Sequence, residues 1–215
     1  SPLPMRLCYE GDVFMMQNDE LYSDRQLTQS GIEIIGCKED DYLEVIDNSI
    51  GLMSKLIDKK LTFEVSIPNF AKTLCGELNV EYSDDLDEAI RKKNLTNIEK
   101  ILGSDLGPLF SDLTTNFTDL GLIFGKVTTI SSAENISSAL SRLSLVRGEL
   151  ESNFPNIEIC YDIFGDDSNS YHQDIAFKIL CEGYSYPLLK GGKYRVCDLD
   201  SVGATFYVNH IRKLR

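Results

Sequence analysis

Two stretches near the start of the chain decide its fold: Arg6-Leu-Cys-Tyr-Glu-Gly-Asp-Val-Phe-Met15 and Arg25-Gln-Leu-Thr-Gln-Ser-Gly-Ile-Glu-Ile-Ile-Gly36. Residues 6–16 and 26–36 are rich in Val, Ile, Phe and Tyr, which favour strands. The polar residues 17–24 join the two segments. We therefore predict a long β-hairpin.

The hairpin is followed by the pattern of one helix and one strand. The acidic residues 39–41 suit the first turn of a helix, where the helix dipole favours negative charge. Apolar residues then recur every three or four positions, as on one buried helix face: Leu43, Ile46, Ile50, Met53 and Ile57. Residues 61–67 alternate as a strand does, and Pro68 ends the pattern.

Helical patterns without a strand pattern fill residues 68–130. They comprise 84–93, 96–102 and 117–124, and a further amphipathic helix is predicted over 135–153. Strand patterns return at 157–163, 175–181 and 202–208. Since strands lie on both sides of the helical stretch, we predict an α+β fold: an antiparallel sheet of about six strands flanked by helices. The predicted division is a first core part (1–67), a helical insertion (68–130) and a second core part (131–215).

Composition excludes several classes of function. The chain has 215 residues, 42% of them hydrophobic, which is enough for one substantial core. A net charge of -13 repels a phosphate backbone, so we expect no tRNA binding. The six cysteines form no Cys-x-x-Cys pair, which argues against a zinc site or a disulfide framework. The Ser-Pro-Leu-Pro start lacks the features of a signal peptide, and no apolar run is long enough to span a bilayer, so we expect a cytoplasmic protein without a membrane segment.

Three later stretches complete the motif pattern. They are Tyr161-Asp162-Ile-Phe-Gly-Asp-Asp-Ser-Asn-Ser-Tyr171-His172-Gln-Asp-Ile-Ala-Phe177, Gly191-Gly192-Lys193-Tyr194 and Val202-Gly203-Ala-Thr-Phe-Tyr-Val-Asn209-His210-Ile211. The aspartates of the first stretch lack the Gly and terminal Glu of a calcium loop, so a solvated turn is the better interpretation.

In order, these stretches resemble conserved elements of the histidyl-tRNA synthetase family, which includes the regulatory subunit of ATP phosphoribosyltransferase. The hairpin is similar to motif 2, and residues 161–177 are similar to the histidine-binding element Arg-Gly-Leu-Asp-Tyr-Tyr-Thr-Gly. The last two stretches are similar to a Gly-Gly-Arg-Tyr turn and to motif 3. The resemblance implies a class II aminoacyl-tRNA synthetase-like fold with a helical insertion. No stretch matches motif 1, which indicates a truncated, processed or incompletely represented chain.

The resemblance also shows which charged groups differ. Three positions at which the family carries arginines for ATP and the reacting carboxyl group hold Met15, Asp167 and His210. A methionine provides no forked donor for phosphate, and an aspartate repels it. The resemblance thus implies a synthetase-like body without synthetase chemistry, that is, a pseudoenzyme without a cofactor. The nearest arginines in the sequence that could replace them are Arg6 and Arg25.

The resemblance further implies a histidine-like ligand site. The matching positions are Gln29, Glu33, Tyr171, His172, Gly191 and Gly192. Gln29 and Glu33 would accept hydrogen bonds from the amino and imidazole nitrogens of the ligand. The competing interpretation is that both residues are alternate positions on a half-wet sheet face. For His172 and His210, the residues alone favour an ordinary structural role, because neither has a nucleophile or metal ligand nearby in sequence.

The leading functional hypothesis is therefore a regulatory subunit for histidine biosynthesis. Its implied partner is a short-form ATP phosphoribosyltransferase catalytic subunit, with free histidine as a possible ligand and homo- or hetero-oligomeric assembly. Two alternatives stay open: a divergent synthetase-like enzyme that weakly activates histidine, and an interaction module without a ligand. Whether any arginine reaches an ATP phosphate distinguishes the enzyme from the other two.

Overall fold

The computed structural model describes residues 2–14, 26–131, 133–165 and 171–215. Met15, residues 17–24, Arg25, Asp166 and Asp167 lie outside the described residues. The strands are β1 (Met5–Phe14), β2 (Gln26–Ile35), β3 (Leu61–Ser66), β4 (Glu158–Tyr161), β5 (Gln173–Cys181), β6 (Tyr184–Val196) and β7 (Leu199–Tyr207). The helices are α1 (Asp41–Leu56), α2 (Phe70–Glu77), α3 (Asp84–Arg91), α4 (Leu95–Thr115), α5 (Leu120–Thr128), α6 (Glu134–Asn153) and α7 (Val208–Leu214).

The predicted hairpin is confirmed. Strands β1 and β2 are antiparallel and pair from Met5 opposite Ile35 to Phe14 opposite Gln26. β2 is antiparallel to β7, and β7 is antiparallel to β6. The sheet has seven strands in the order β1-β2-β7-β6-β5-β3-β4, one more than the expected number of about six.

The additional strand is β6, and it corrects the expected Gly-Gly turn. Gly191 and Gly192 lie inside β6, where they pair with Ala204 and Gly203 of β7. The turn was expected from the resemblance to the family's Gly-Gly-Arg-Tyr turn, and glycine pairs are common in turns. Here the ladder to β7 provides the backbone hydrogen bonds that keep the segment extended.

The periodic segments behave as predicted. In α1, Asp41 and Glu44 occupy the first turn, and Ile46, Ile50 and Met53 are fully buried. In β3, apolar and polar positions alternate between buried and half-buried. Both predictions are confirmed because a helix places residues three or four apart on one face, and a strand places alternate residues on one face.

The stretch 68–130, all of it described, contains helices and no strand. α3 matches the predicted helix 84–93, whereas α2 was not predicted. The predicted helix 96–102 is too short, because α4 continues to Thr115 beyond a kink at Gly103, whose φ is 74°. α5 begins at Leu120, later than predicted, where the Asp119 carboxylate accepts from the Leu122 amide at 3.0 Å.

The contacts of the chain divide it into two compact units. One comprises residues 1–63, 152–158 and 177–215, and the other comprises 64–151 and 159–176. In the first unit, α1 packs against β7 and β2. In the second unit, the Phe164 ring lies between those of Phe70 and Phe110, with centroid distances of 6.2 and 5.5 Å. The predicted division at residues 67 and 130 stays a prediction.

The solvated-turn interpretation is wrong for Asp162 in the second unit. Asp162 is only 7% exposed, and its Oδ2 lies 2.8 Å from the Lys93 amino group. The same amino group lies 4.0 Å from the centre of the Phe117 ring. Because a buried carboxylate needs a partner, this pair makes Asp162 part of the interior. No helix among the described residues is long and apolar enough to cross a membrane.

Candidate functional site

Four strands of the first unit, β1, β2, β7 and β6, present two different faces. Paired residues of antiparallel strands share a face, and successive residues alternate between faces. We call one side the Glu33 face; two of its rows are Tyr9, Gly31, Thr205 and Lys190, and Leu7, Glu33, Gly203 and Gly192. We call the other side the α1 face; it carries Arg6, Ile34, Val202 and Lys193 in one row and Cys8, Ile32, Ala204 and Gly191 in the next.

The Glu33 carboxylate lies across the neighbouring strand. A Cβ atom at Gly203 would overlap both carboxylate oxygens of Glu33, so this position of the carboxylate requires a glycine there. The Tyr194 hydroxyl of β6 donates a hydrogen bond of 2.7 Å to Glu33 Oε2. The carboxylate is therefore held above β7 by a residue two strands away.

The surroundings of Glu33 suit a cationic partner. Its burial raises the pKa of the carboxyl group, and the hydrogen bond from Tyr194 acts in the opposite direction. A half-buried carboxylate that has lost part of its hydration gains most from a donor that carries a positive charge. The arrangement can bind an ammonium or a protonated ring nitrogen.

Tyr9 forms the neighbouring part of the face. Its ring lies above Gly31, where a Cβ would overlap it, and its hydroxyl is 2.7 Å from the Thr205 hydroxyl. Gln29 lies on the same face and pairs with Gly11 and Tyr207. At about 3.4 Å per residue, the Cα atoms of Gln29 and Glu33 are about 14 Å apart. A ligand that contacts both side chains would thus lie above Gly31, against the Tyr9 ring.

The other predicted site residues are distributed differently. Gly192 lies on the Glu33 face, whereas Gly191 lies on the α1 face, where Phe177 Cζ would be 2.5 Å from an added Cβ. Tyr171 and His172 belong to the second compact unit, and their rings meet edge to face at 5.2 Å. Their predicted ligand roles stay predictions.

His210 has a packing role, as its residue type alone suggested. It is 3% exposed, and its Nδ1 lies 2.8 Å from the Pro187 carbonyl oxygen. Its ring is within 5.3 to 5.7 Å of the rings of Tyr184, Tyr186 and Tyr207. Met15 and Asp167, the other two positions of motif arginines, lie outside the described residues.

Arg6 does not replace the motif arginines on the Glu33 face. Its guanidinium donates two hydrogen bonds, of 2.8 and 2.6 Å, to the Glu44 carboxylate of α1. This bidentate pair is on the α1 face and lowers the pKa of Glu44. The second candidate, Arg25, is outside the described residues.

The comparison with known proteins gives the family. A family model described as histidyl-tRNA synthetase matches residues 1–211. The chain belongs to the histidyl-tRNA synthetase family. Two curated relatives, both named ATP phosphoribosyltransferase regulatory subunit, are from Clostridium kluyveri (26% identity, 89% of this chain and 51% of the relative) and Bordetella avium (25%, 94% and 52%). The chain spans about half the length of the curated relatives it matches.

Solved structures show the same fold. An ATP phosphoribosyltransferase regulatory subunit/histidyl-tRNA synthetase from Bacillus halodurans has a TM-score of 0.80 and 19% identity, over 100% of this chain and 59% of that chain. The ATP phosphoribosyl transferase (HisG:HisZ) complex from Thermotoga maritima gives 0.77 and 19%, over 95% and 73%. The histidyl-tRNA synthetase from Nostoc gives 0.74 and 14%, over 99% and 54%. The predicted class II synthetase-like α+β fold is confirmed.

In this histidyl-tRNA synthetase family member, the sequence analysis missed two groups on the Glu33 face: Tyr9 and Tyr194. Tyr194 was quoted as part of a motif but received no role, because its hydrogen bond to Glu33 spans 161 residues. Only the strand order places the two residues together. The alternation within the hairpin could have identified Tyr9, since it opposes Gly31 in the predicted pairing.

Proposed function

We propose that the chain is the synthetase-like part of a non-catalytic regulatory subunit, which activates a short-form ATP phosphoribosyltransferase and responds to histidine in the cytoplasm. The observation that carries this proposal is the contrast between Glu33 and His210. Glu33 keeps a geometry that suits an amine, whereas His210, at the position of a motif arginine, is buried against a backbone carbonyl. The regulatory-subunit names of the relatives support it.

The charge balance argues against synthetase chemistry. A hydrogen bond to a charged group contributes about 1.5 to 3 kcal/mol, so replacing several phosphate-binding arginines removes much of the stabilisation of ATP. Such losses affect the transition state for adenylate formation most, because charge develops there. An amine site without a phosphate site fits a protein that senses an amino acid.

The partner is proposed from the names of similar proteins. The structure from Thermotoga maritima is a complex of the HisG and HisZ components of ATP phosphoribosyl transferase. By analogy, we propose a hetero-oligomer with a catalytic subunit of that type. With a net charge of -13, the chain is poorly suited to tRNA.

Two assays of the full-length protein test the proposal. Added to a short-form catalytic subunit, it should increase phosphoribosyl transfer, and histidine should reduce that increase. Histidine-dependent pyrophosphate exchange should not exceed that of a heat-inactivated control. Exchange above the control would favour a divergent synthetase-like enzyme. Absence of both activation and histidine binding would favour an interaction module.

A further inference from the structure

We infer that Lys93 couples the helical stretch 68–130 to the turn 162–165, so that the two segments keep or lose their positions together. The inference rests on the proposed sensing function in one respect, because this turn begins the segment that is similar to the family's histidine-binding element. Lys93 is thus a positioning residue: it acts on the histidine response through the turn and not through contact with a ligand.

The backbone of Lys93 has a conformation that a lysine rarely adopts. Lys93 lies two residues beyond the end of α3 with a φ of 51°, in the left-handed region. Its amide donates to the Ile90 carbonyl oxygen at 3.0 Å, and the Asn94 amide donates to that of Ala89 at 2.8 Å. These two bonds form a Schellman motif, whose left-handed position usually holds glycine and sometimes asparagine. A lysine there is disfavoured relative to glycine, because its Cβ is crowded in this conformation.

Helix α2 ends with the same motif and provides a comparison. Asn79 occupies its left-handed position with a φ of 55°, and the two corresponding bonds are 3.2 and 2.9 Å long. The two helices therefore end in the same way, and only α3 has a residue type that the motif disfavours. The strain at Lys93 is explained by what its side chain contacts.

The Lys93 ammonium contacts groups from two other segments. It lies 2.8 Å from Oδ2 of Asp162, at the end of β4, and 4.0 Å from the centre of the Phe117 ring, which precedes α5. The Tyr161 amide donates to the Phe117 carbonyl oxygen at 2.6 Å. The end of α3, the connection between α4 and α5 and the end of β4 thus meet at one ammonium. Without that ammonium, a carboxylate that is 7% exposed would lose its charged partner.

The turn that follows β4 is packed into the helical stretch. The Gly165 amide donates to the Asp162 carbonyl oxygen at 2.7 Å, which closes the turn. Within it, the Phe164 ring lies between one ring of α2 and one of α4. Apolar contacts are non-directional, so they bury the turn without fixing its orientation. The charged pair of Lys93 and Asp162 provides the directional contact.

Glycine substitutions in the full-length protein separate this role from simple helix termination. If Lys93 only ended α3, Lys93→Gly would relieve the left-handed backbone and lower the equilibrium constant for local opening, measured by hydrogen exchange of the Asn94 amide. Coupling predicts the reverse, a rise of about tenfold or more, because a buried carboxylate loses its partner. Asn79→Gly, in the same motif of α2, is the matched control and should change the exchange of the Val80 amide less than about threefold. A lower opening constant in Lys93→Gly would overturn the inference.

The amides of the turn test the coupling itself. Lys93→Met removes the charge and keeps a long side chain, and it should accelerate exchange of the Tyr161 and Gly165 amides about tenfold or more. Lys93→Arg keeps the charge and should stay within about threefold of the unmodified protein. Asp162→Asn combined with Lys93→Met should accelerate exchange less than the product of the single effects, because both substitutions remove the same pair. Unchanged exchange in Lys93→Met, or single effects that multiply, would contradict the coupling.

The histidine response tests the positioning role. In Lys93→Met, activation of the catalytic subunit without histidine should be unchanged, whereas half-maximal inhibition should need about threefold more histidine or more, and Lys93→Arg should restore the ordinary concentration. Accelerated exchange with an unchanged histidine response would refute the positioning role. A protein that activates no catalytic subunit would contradict the proposed function, and the exchange measurements would still decide whether Lys93 couples the two segments.

Discussion

The α1 face and the Glu33 face belong to the same four strands and have opposite character. On the α1 face, Val202, Ala204 and Phe206 are 5% exposed or less. On the Glu33 face, the hydroxyl groups of Tyr9 and Thr205 are hydrogen-bonded to each other, and the Tyr194 hydroxyl donates a hydrogen bond to Glu33. A period of two lets one strand supply a core and a binding surface at once.

The two faces also differ in the space around their glycines. A Cβ at Gly191, on the α1 face, would meet the Phe177 ring at 2.5 Å and the Gly203 carbonyl oxygen at 2.6 Å. At Gly203, on the Glu33 face, it would meet the carboxylate of a flexible side chain. The first contact is with fixed groups of the interior, and the second is with a group that can move. We therefore expect the α1 face to control stability and the Glu33 face to control ligand binding.

The largest expected effect is the loss of a core side chain from the α1 face. Phe206→Ala should lower the free energy of unfolding by about 3 to 5 kcal/mol, because it removes a buried ring and leaves a cavity. Denaturant unfolding measures the change. A loss below about 1 kcal/mol would mean that this face is not the core of its unit.

Gly191→Ala should lower the free energy of unfolding by about 1 to 3 kcal/mol, because the methyl group overpacks the space against Phe177. Gly11→Ala is the control, since no atom lies within 4 Å of a Cβ at that position. Its effect should stay within about 0.5 kcal/mol. Equal effects of the two substitutions would remove the distinction between packed and open glycines.

Glu33→Gln should raise the free energy of unfolding at pH 7, in contrast to the substitutions of Phe206 and Gly191. Burial raises the pKa of Glu33, so the folded chain binds this proton more tightly than the unfolded chain, and stability falls as pH rises from the ordinary glutamate pKa through the folded one. At pH 7 the variant should therefore be more stable, by less than about 1 kcal/mol. The gain should disappear below about pH 4. Unfolding curves at both pH values measure it.

Glu44→Gln on α1 is the matched control, because it should change the free energy of unfolding in the opposite direction. Arg6 lowers the pKa of Glu44, so the carboxylate adds stability above the ordinary glutamate pKa and loses it as pH falls through the lowered value. This variant should be slightly less stable at pH 7, by less than about 1 kcal/mol, because the pair is exposed. A gain in both variants would contradict the assignment of burial as the cause at Glu33.

The smallest expected effect is that of Tyr9→Phe. The substitution keeps the ring above Gly31 and removes the hydrogen bond to Thr205, which is partly exposed to water. The free energy of unfolding should fall by about 0.5 kcal/mol. A loss above about 2 kcal/mol in denaturant unfolding would show that the Glu33 face also carries the core.

Elements with a clear period could be predicted, and elements that depend on distant pairing could not. The hairpin, α1 and α6 follow from spacing within each segment, because local side chains decide which face is buried. β6 was missed because Gly191 and Gly192 were interpreted as a turn, and only their pairing with β7 keeps this segment extended. Asp162 was taken for a solvated residue because its partner, Lys93, is 69 positions away.

The sequence by itself determined the family-like motif order and the position of Gln29 and Glu33 on one face of a strand, since they are four residues apart in β2. Only the tertiary structure decided what surrounds Glu33: Gly203 lies beneath its carboxylate, and Tyr194 is its hydrogen-bond donor. The physical reason is that the period of a strand defines a face, whereas the residues that share this face depend on strand order and register, which arise when distant segments pair.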